Sequence, residues 1–232
     1  MQKIIKNGND KYTLPVDNNN YSLSANLFEM SVFFHKLGID EMPLNNKIRC
    51  LGTDFLDLGA YIGDSALILN TLKPNRIFAF EPVTENYQGL IKTINLNNLK
   101  NIIPIKKGVG ESSKKVGIQT NGPGSTLVNM GLPNTEIIDI TTIDMFQEEN
   151  NLNVGLIKMD IEGAELEAIK GAEDTIKKFK PILLISLYHT GKDFFEIIPL
   201  LKKWVGDYEF RFLNLNHTEA YSERVLLAYP KL

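Results

Sequence analysis

The stretch that decides the fold is Thr53 to Ser65, TDFLDLGAYIGDS. Phe55, Leu56 and Leu58 make an apolar strand with an acid near its end, and the strand runs straight into two glycines spaced Gly59-x-x-x-Gly63. Glycine supplies backbone angles and close approaches that a side chain would block. The pattern therefore predicts a parallel-sheet strand turning sharply into a helix, the ligand loop of a nucleotide-binding α/β sheet.

Charge selects among ligands for such a loop. The dinucleotide fingerprint G-x-G-x-x-G offers a bare helix N-terminus to a pyrophosphate. Here Asp57 stands at the first glycine position and Asp64 follows the last glycine, so a pyrophosphate would meet two carboxylates. That argues against a nicotinamide dinucleotide and its oxidoreductase chemistry. S-adenosylmethionine has a sulfonium, an ammonium and no phosphate, and an acidic loop suits its cations.

Outward from this loop, Ser65 to Leu72 predicts a helix stopped by Pro74, and RIFAF (76–80) a buried strand ending in Glu81-Pro82. The acid falls roughly 20 residues past the glycine loop, where such sheets place a carboxylate against an adenosine ribose. A helix over Thr84 to Asn97 and a strand over Asn101 to Lys106 lead to Gly108-Val109-Gly110, a turn small enough to lie against an adenine edge. Strands at Lys115 to Thr120 and Glu136 to Ile140 flank a Gly/Pro-rich loop, NGPGSTLVNMGLPN, which carries Ser125 and Thr126 and reads as a lid. Thr141 and Asp144 are spaced like a capping box for a short helix. VGLIKM (154–159) predicts a strand delivering Asp160 and Glu162 to the carboxyl edge, where open α/β sheets bind ligands. Period-two alternation puts Lys158 on the same face as Asp160, which predicts that they pair.

A helix over Ala164 to Phe179, a strand over Pro181 to Leu187 and a helix around Asp193 to Val205 precede two closing strands, Tyr208 to Leu213 and Arg224 to Ala228. The alternation predicts a doubly wound seven-stranded sheet, mostly parallel with one antiparallel strand and helices on both faces. Residues 1–50 read as an N-terminal arm with a possible strand at Tyr12 to Val16 and a cover helix from Ser24 to Gly38, not an independent domain. Residues 51–232 hold the main domain.

The chain has 25 Lys and Arg against 28 Asp and Glu, a net charge of -3, so it lacks the basic field of a nucleic-acid binder. Lys106, Lys107, Lys114 and Lys115 read as a solvated rim beside a hairpin. Cys50 is the single cysteine, which rules out an intrachain disulfide and a thiolate metal cluster. With no apolar run of spanning length, the expectation is a cytoplasmic protein without a transmembrane segment.

Four blocks in order, DLGAYIGDSAL, FAFEPVTENY, TTIDMF and IKMDIEGAELEAIKGA, resemble the FkbM family of S-adenosylmethionine-dependent methyltransferases across about Asp54 to Leu187. The resemblance implies a class I methyltransferase (Rossmann-like) domain over 51–232 and O-methylation of a hydroxyl on a small molecule, sugar or glycan. It places the cofactor at Asp57, Gly59, Gly63 and Glu81. Their neighbours Ala60, Tyr61, Asp64, Ser65, Gly108, Val109 and Asp160 complete the expected cofactor site. Many relatives end the fifth strand with an acid, and this chain has SLYHT (186–190), which brings His189 forward as the first candidate base. Asp160 and Glu162 are the second candidates, as bases or as ligands of a divalent cation, although two or three oxygens are few for one and no metal site is assigned. The alternative is a non-catalytic binding module on the same fold.

Overall fold

A computed structural model describes residues 3–8, 11–121, 124–128, 132–216 and 223–231. Its centre is a seven-stranded sheet. In chain order its strands are β4 (Asp54–Leu58), β5 (Arg76–Phe80), β6 (Ile102–Ile105), β11 (Val154–Met159), β12 (Ile182–Ser186), β13 (Tyr208–Asn214) and β14 (Arg224–Pro230). They lie in the order β13-β14-β12-β11-β4-β5-β6. Only β14 runs against the others: it is antiparallel to both β12 and β13, and so inserts between them. The strand order reverses between β4 and β11, which pair in parallel, and a crevice opens there at their carboxyl ends.

The helices are α1 (Met30–Phe33), α2 (Leu44–Cys50), α3 (Asp64–Leu69), α4 (Thr84–Leu96), α5 (Ile143–Asn150), α6 (Glu165–Lys170), α7 (Glu173–Phe179) and α8 (Gly191–Trp204). Every residue of β4 and of β12 is buried, as expected of strands covered on both faces. Alternate residues feed two cores. Phe55, Ile77, Ala79, Leu156, Ile182 and Leu184 pack with α3, α4 and the N-terminal segment. Leu56, Leu58, Phe78, Phe80, Ile157 and Met159 pack with α5 to α8. At the amino end of β4, Asp54 takes two hydrogen bonds from Arg76, at 2.9 and 2.8 Å, and one from Asn75. This acid staples β4 to β5 at the end of the sheet opposite the crevice.

The N-terminal segment is more ordered than an arm. β1 (Ile5–Lys6), β2 (Tyr12–Val16) and β3 (Asn19–Leu23) form an antiparallel meander. Asn97, at the end of α4, accepts from the Ser22 N–H and donates to the Ser22 carbonyl. Leu14, Leu23 and Phe33 then enter the same core as Phe55. The expected cover helix is cut short. Only Met30–Phe33 is α-helical, and a 3-10 turn follows at Lys36–Glu41, with Leu37 and Gly38 in the left-handed region. Ser24 does not cap it: its hydroxyl donates to the Gly89 carbonyl of α4.

A second sheet, in the order β7-β10-β8-β9, combines β7 (Gly108–Val109), β8 (Lys114–Asn121), β9 (Gly124–Val128) and β10 (Glu136–Thr141). The expected lid loop is therefore half strand, because β9 pairs antiparallel with β8. The side chains of Ser125 and Thr126 lie outside the described residues, so the structure does not address their lid role. Lys106 and Lys115 pair with Glu136 and Asp139 on β10.

Two helix expectations also change. The single helix over 164–179 divides at Gly171-Ala172. A Cβ on Gly171 would stand 2.2 Å from the Gly110 carbonyl oxygen, so only glycine lets the α6–α7 junction lie this close to the turn after β7. Thr142 rather than Thr141 caps α5, accepting from the Met145 N–H at 3.1 Å. Asp144 reaches across to accept from the N–H groups of Asp174 and Thr175, capping α7.

Candidate active site

The crevice holds a cavity of about 520 Å³ at the carboxyl ends of β4, β5 and β11. Its floor is set by Gly59, with φ near +77°. A Cβ at Gly59 would lie 1.9 Å from the Asp160 carbonyl oxygen, so only glycine lets the β4 and β11 ends approach this closely. The Gly59 and Ala60 N–H groups both donate to the Phe80 carbonyl, tying the loop to the end of β5. Gly63, also in the left-handed region, packs against Leu90 of α4.

Beneath the loop sits a buried charge pair. Asp57 is fully buried and Lys158 is 6% exposed. The Asp57 carboxylate accepts from the Ser65 hydroxyl at 2.7 Å, and its other oxygen lies 3.2 Å from Lys158 Nζ. Lys158 also donates to the Gly59 carbonyl at 2.7 Å. The predicted Lys158–Asp160 pair does not form; the alternation of the strand does place both toward the crevice, but the ammonium is taken by the neighbouring strand. Burial acts to lower the Lys158 pKa, and the charges of Asp57, Asp160 and Asp64 outweigh it, leaving the pKa above its ordinary value. Asp57, Ala60 and Gly63 do not line the cavity. They shape the loop from behind.

The cavity wall has two characters. One side is apolar, built from Phe80, Pro82, Val109, Ile118, Ile138 and Ile140, with Gly108 beside them. The other side is acidic: Glu29, Asp64, Asp160, Glu162 and Glu223 face the space along with Tyr61, Ser65 and Tyr188. Glu81 stands between the two sides. It accepts from the Tyr61 N–H at 3.1 Å and the Val83 N–H at 2.9 Å, and burial pushes its pKa up to about 7. Burial likewise raises Asp64 to about 7, against the pull of Lys158.

The loop after β11 is strained and pinned. Glu162 (φ 57°) and Gly163 (φ 96°) both lie in the left-handed region. Glu165, fully buried at the start of α6, accepts from the Ile161 and Gly163 N–H groups at 2.8 and 2.9 Å. The same carboxylate meets His189 Nδ1 at 2.9 Å. His189 Nε2 is 3.5 Å from Asp160 and 3.7 Å from Glu162. Burial alone would lower the His189 pKa, but the Glu165 hydrogen bond and the surrounding carboxylates outweigh it and raise the pKa. His189 does not line the cavity. It stands behind Asp160, away from the cavity, a poor position for the base that the sequence suggested.

Asp160, Glu165 and His189 bring ligand-type atoms within 4.8 Å of one another, the one such group among the described residues. Both oxygens of Glu165 are already occupied by N–H donors, so the donor set does not fit a hard cation needing six or more oxygens. Sequence reading passed over Glu165, Tyr188, Glu29 and Glu223. Only Glu165 left a signal, as the last acid of DIEGAE; the others reach the crevice through tertiary packing.

The Methyltransferase FkbM domain model matches residues 57–212, more than half of the chain. The chain belongs to the FkbM methyltransferase family. An FkbM methyltransferase from Methylobacillus flagellatus KT is similar in structure, with a TM-score of 0.64 and 24% identity over 87% of this chain. That overlap is 48% of the other protein, so this chain spans about half its length. An rRNA methylase from Streptococcus thermophilus shares the fold at a TM-score of 0.50 and 11% identity, over 81% of this chain and 93% of its own. The Thermus thermophilus 16S rRNA N2 G1207 methyltransferase, in complex with AdoMet and guanosine, does so at 0.50 and 13%, over 96% and 50% of the two chains. No curated protein matches significantly. Against this FkbM-family fold, no helix among the described residues is long and apolar enough to cross a membrane.

Proposed function

We propose that this chain transfers the methyl group of S-adenosylmethionine to a hydroxyl of a small molecule or glycan. The observation that carries the reading is the two-sided cavity at the switch point, apolar beside Val109 and Ile140 and carboxylate-lined around Asp64 and Asp160. Its volume lies within the roughly 300–1,000 Å³ usual for small-molecule sites. The apolar side suits an adenine, Glu81 stands where a ribose diol could donate to it, and Asp64 and Asp160 suit an ammonium and a sulfonium. When bound, this donor supplies a methyl group on a good sulfur leaving group, so the chain's task is alignment and proton removal.

The same wall argues about the acceptor. Glu29, Glu162 and Glu223 at the cavity's edge would repel a phosphodiester backbone, which favours a hydroxyl on a non-phosphorylated molecule over RNA or DNA. Against these acids the lining holds two lysines, Lys107 and the internally paired Lys158.

Isothermal titration calorimetry tests the donor: S-adenosylmethionine should bind in the micromolar range, and NAD should not. Glu81→Ala should weaken that binding about tenfold or more, the loss of a charge-assisted hydrogen bond. Unchanged affinity in the variant, or preferential binding of NAD, refutes the donor assignment. The acceptor class is tested by transfer of labelled methyl to a panel of monosaccharides, methyl glycosides and hydroxylated aromatics. Methylation of RNA but of no panel member overturns it.

A further inference from the structure

The cluster behind Asp160 has an order that a set of surface acids lacks. Glu165 is fully buried and rigidly held, its two oxygens fixed by the Ile161 and Gly163 N–H groups. His189 Nδ1 meets it at 2.9 Å, which orients the ring. The opposite ring edge faces Asp160 at 3.5 Å, and the Tyr188 hydroxyl donates to the same Asp160 oxygen at 3.1 Å. The Tyr188 and His189 rings also lie against each other, centroids 4.2 Å apart. Asp160 alone of the three triad members lines the cavity.

We propose that Glu165, His189 and Asp160 form a relay in which the buried Glu165 carboxylate fixes the His189 ring, the ring fixes Asp160, and Asp160 takes the proton of the acceptor hydroxyl. The inference rests on the methyl-transfer reading above and names its base. Glu162 is the rival carboxylate, but its side chain is 46% exposed and its approach to His189 is longer, at 3.7 Å. Asp160 is held by two groups, and the oxygen they leave over is available to the cavity.

In the transfer, the acceptor oxygen gains a bond to the methyl carbon, the carbon–sulfur bond breaks with its pair going to sulfur, and the hydroxyl proton passes to Asp160. The resulting neutral carboxyl returns the proton to water at the mouth. Asp160 is then a catalytic residue, and His189 and Glu165 are positioning residues. Every titratable group facing His189 is an acid or a phenol: Glu165 of α6, Asp160 and Glu162 of the β11 loop, Asp193 of α8, Tyr188, and Glu223 before β14. Lys158 also acts on Asp160 through space, but its ammonium is engaged by Asp57 and the Gly59 carbonyl, so the His189 ring is the group that stands directly behind Asp160.

Two readouts test this. The first needs no acceptor: side-chain 1H–15N NMR of the three histidines, with His189→Gln assigning the His189 signals. In the wild type His189 should titrate above the ordinary imidazole value, and its titration should move to lower pH in Asp160→Asn and in Glu165→Gln. A His189 that titrates at or below the ordinary value, or does not respond to either substitution, overturns the relay. The second uses whichever panel member the wild type methylates. Asp160→Asn should lower kcat at saturating S-adenosylmethionine about 100-fold or more, and Asp160→Glu should recover part of it. His189→Gln should move the acidic limb of the kcat–pH profile to higher pH, which a merely structural role would not do. Turnover of Asp160→Asn within about threefold of wild type, or an unmoved limb in His189→Gln, refutes the proton role. A wild type that binds no S-adenosylmethionine sinks the methyl-transfer reading instead, and if no panel member reacts, the acceptor class fails and the NMR titration alone decides the relay.

Discussion

Removing the ammonium under the glycine loop should cost more than any surface substitution in this chain. Lys158→Met keeps most of the side-chain volume but leaves Asp57, which has no exposure, without its counter-charge. The Ser65 hydroxyl remains as its one hydrogen bond. Breaking a buried pair from one side costs about 3–5 kcal/mol. For a chain of this length that is a fall in Tm of about 6–20 °C, at roughly 2–4 °C per kcal/mol. Asp57→Leu alone should cost less, since the ammonium keeps the Gly59 carbonyl and can shed its proton. In the double variant the charges leave together, so its loss should fall short of the sum of the two singles by about 2 kcal/mol or more. Urea denaturation of all four proteins measures this cycle. Additivity within about 0.5 kcal/mol would refute the claim that these two groups stabilise each other. The sign of the pH dependence follows from the same pair. A lysine whose folded pKa is raised contributes stability that is whole below the unfolded value and is lost as pH climbs through the folded one. The wild type should therefore lose stability above about pH 10 more steeply than Lys158→Met, which keeps only the alkaline loss from other buried groups such as Cys50, Tyr188 and Tyr208, whose pKa values burial also raises.

Gly59→Ala should be the most damaging single-methyl change, because its Cβ would lie 1.9 Å from a backbone oxygen at a positive φ; a soluble variant that melts within about 2 °C of wild type by calorimetry would refute the close approach. Glu81 and Asp64 both have pKa values raised to about 7 by burial, so the folded state binds more protons than the unfolded state between about pH 4 and 7, and ligand-free stability should fall as pH rises through that window. A ligand-free Tm that instead rises from pH 5 to pH 8 would contradict this. Binding a cationic donor should ionise the same carboxylates, so calorimetry in buffers of different ionisation enthalpy near pH 6.5 should register net proton release; proton uptake or none would place the donor elsewhere.

The sheet was legible because its strands are buried on both faces and so read as short, mostly apolar runs. DFLDL, RIFAF, VGLIKM and ILLIS each mark a strand of the central sheet, with boundaries within a residue or two of the expectation. Elements whose existence depends on a distant partner were not legible. The break falls at Gly171, where the chain lies against the Gly110 carbonyl some sixty positions earlier, and local periodicity continues through it. The N-terminal meander is half polar by sequence, and its order comes from Asn97 and the core behind α4.

At the site, the sequence located the acids without sorting them. Asp54, Asp57 and Asp64 fall within one short run, yet Asp54 staples two strands to Arg76, Asp57 neutralises a lysine under the loop, and only Asp64 faces the cavity. What separates them is side-chain direction at the end of a strand and the identity of the neighbour one strand over, neither of which spacing encodes. The register that sets Lys158 opposite Asp57 is fixed by the apolar residues around both. Their burial commits the lysine to the loop before any ligand arrives, and that leaves the wall carboxylates beyond it as the groups whose charge a cationic donor can meet. Under the proposed function the loop would present to its ligand the charge left over once the internal pairs are closed, and the acids that line the cavity are Asp64 and Asp160 rather than Asp57.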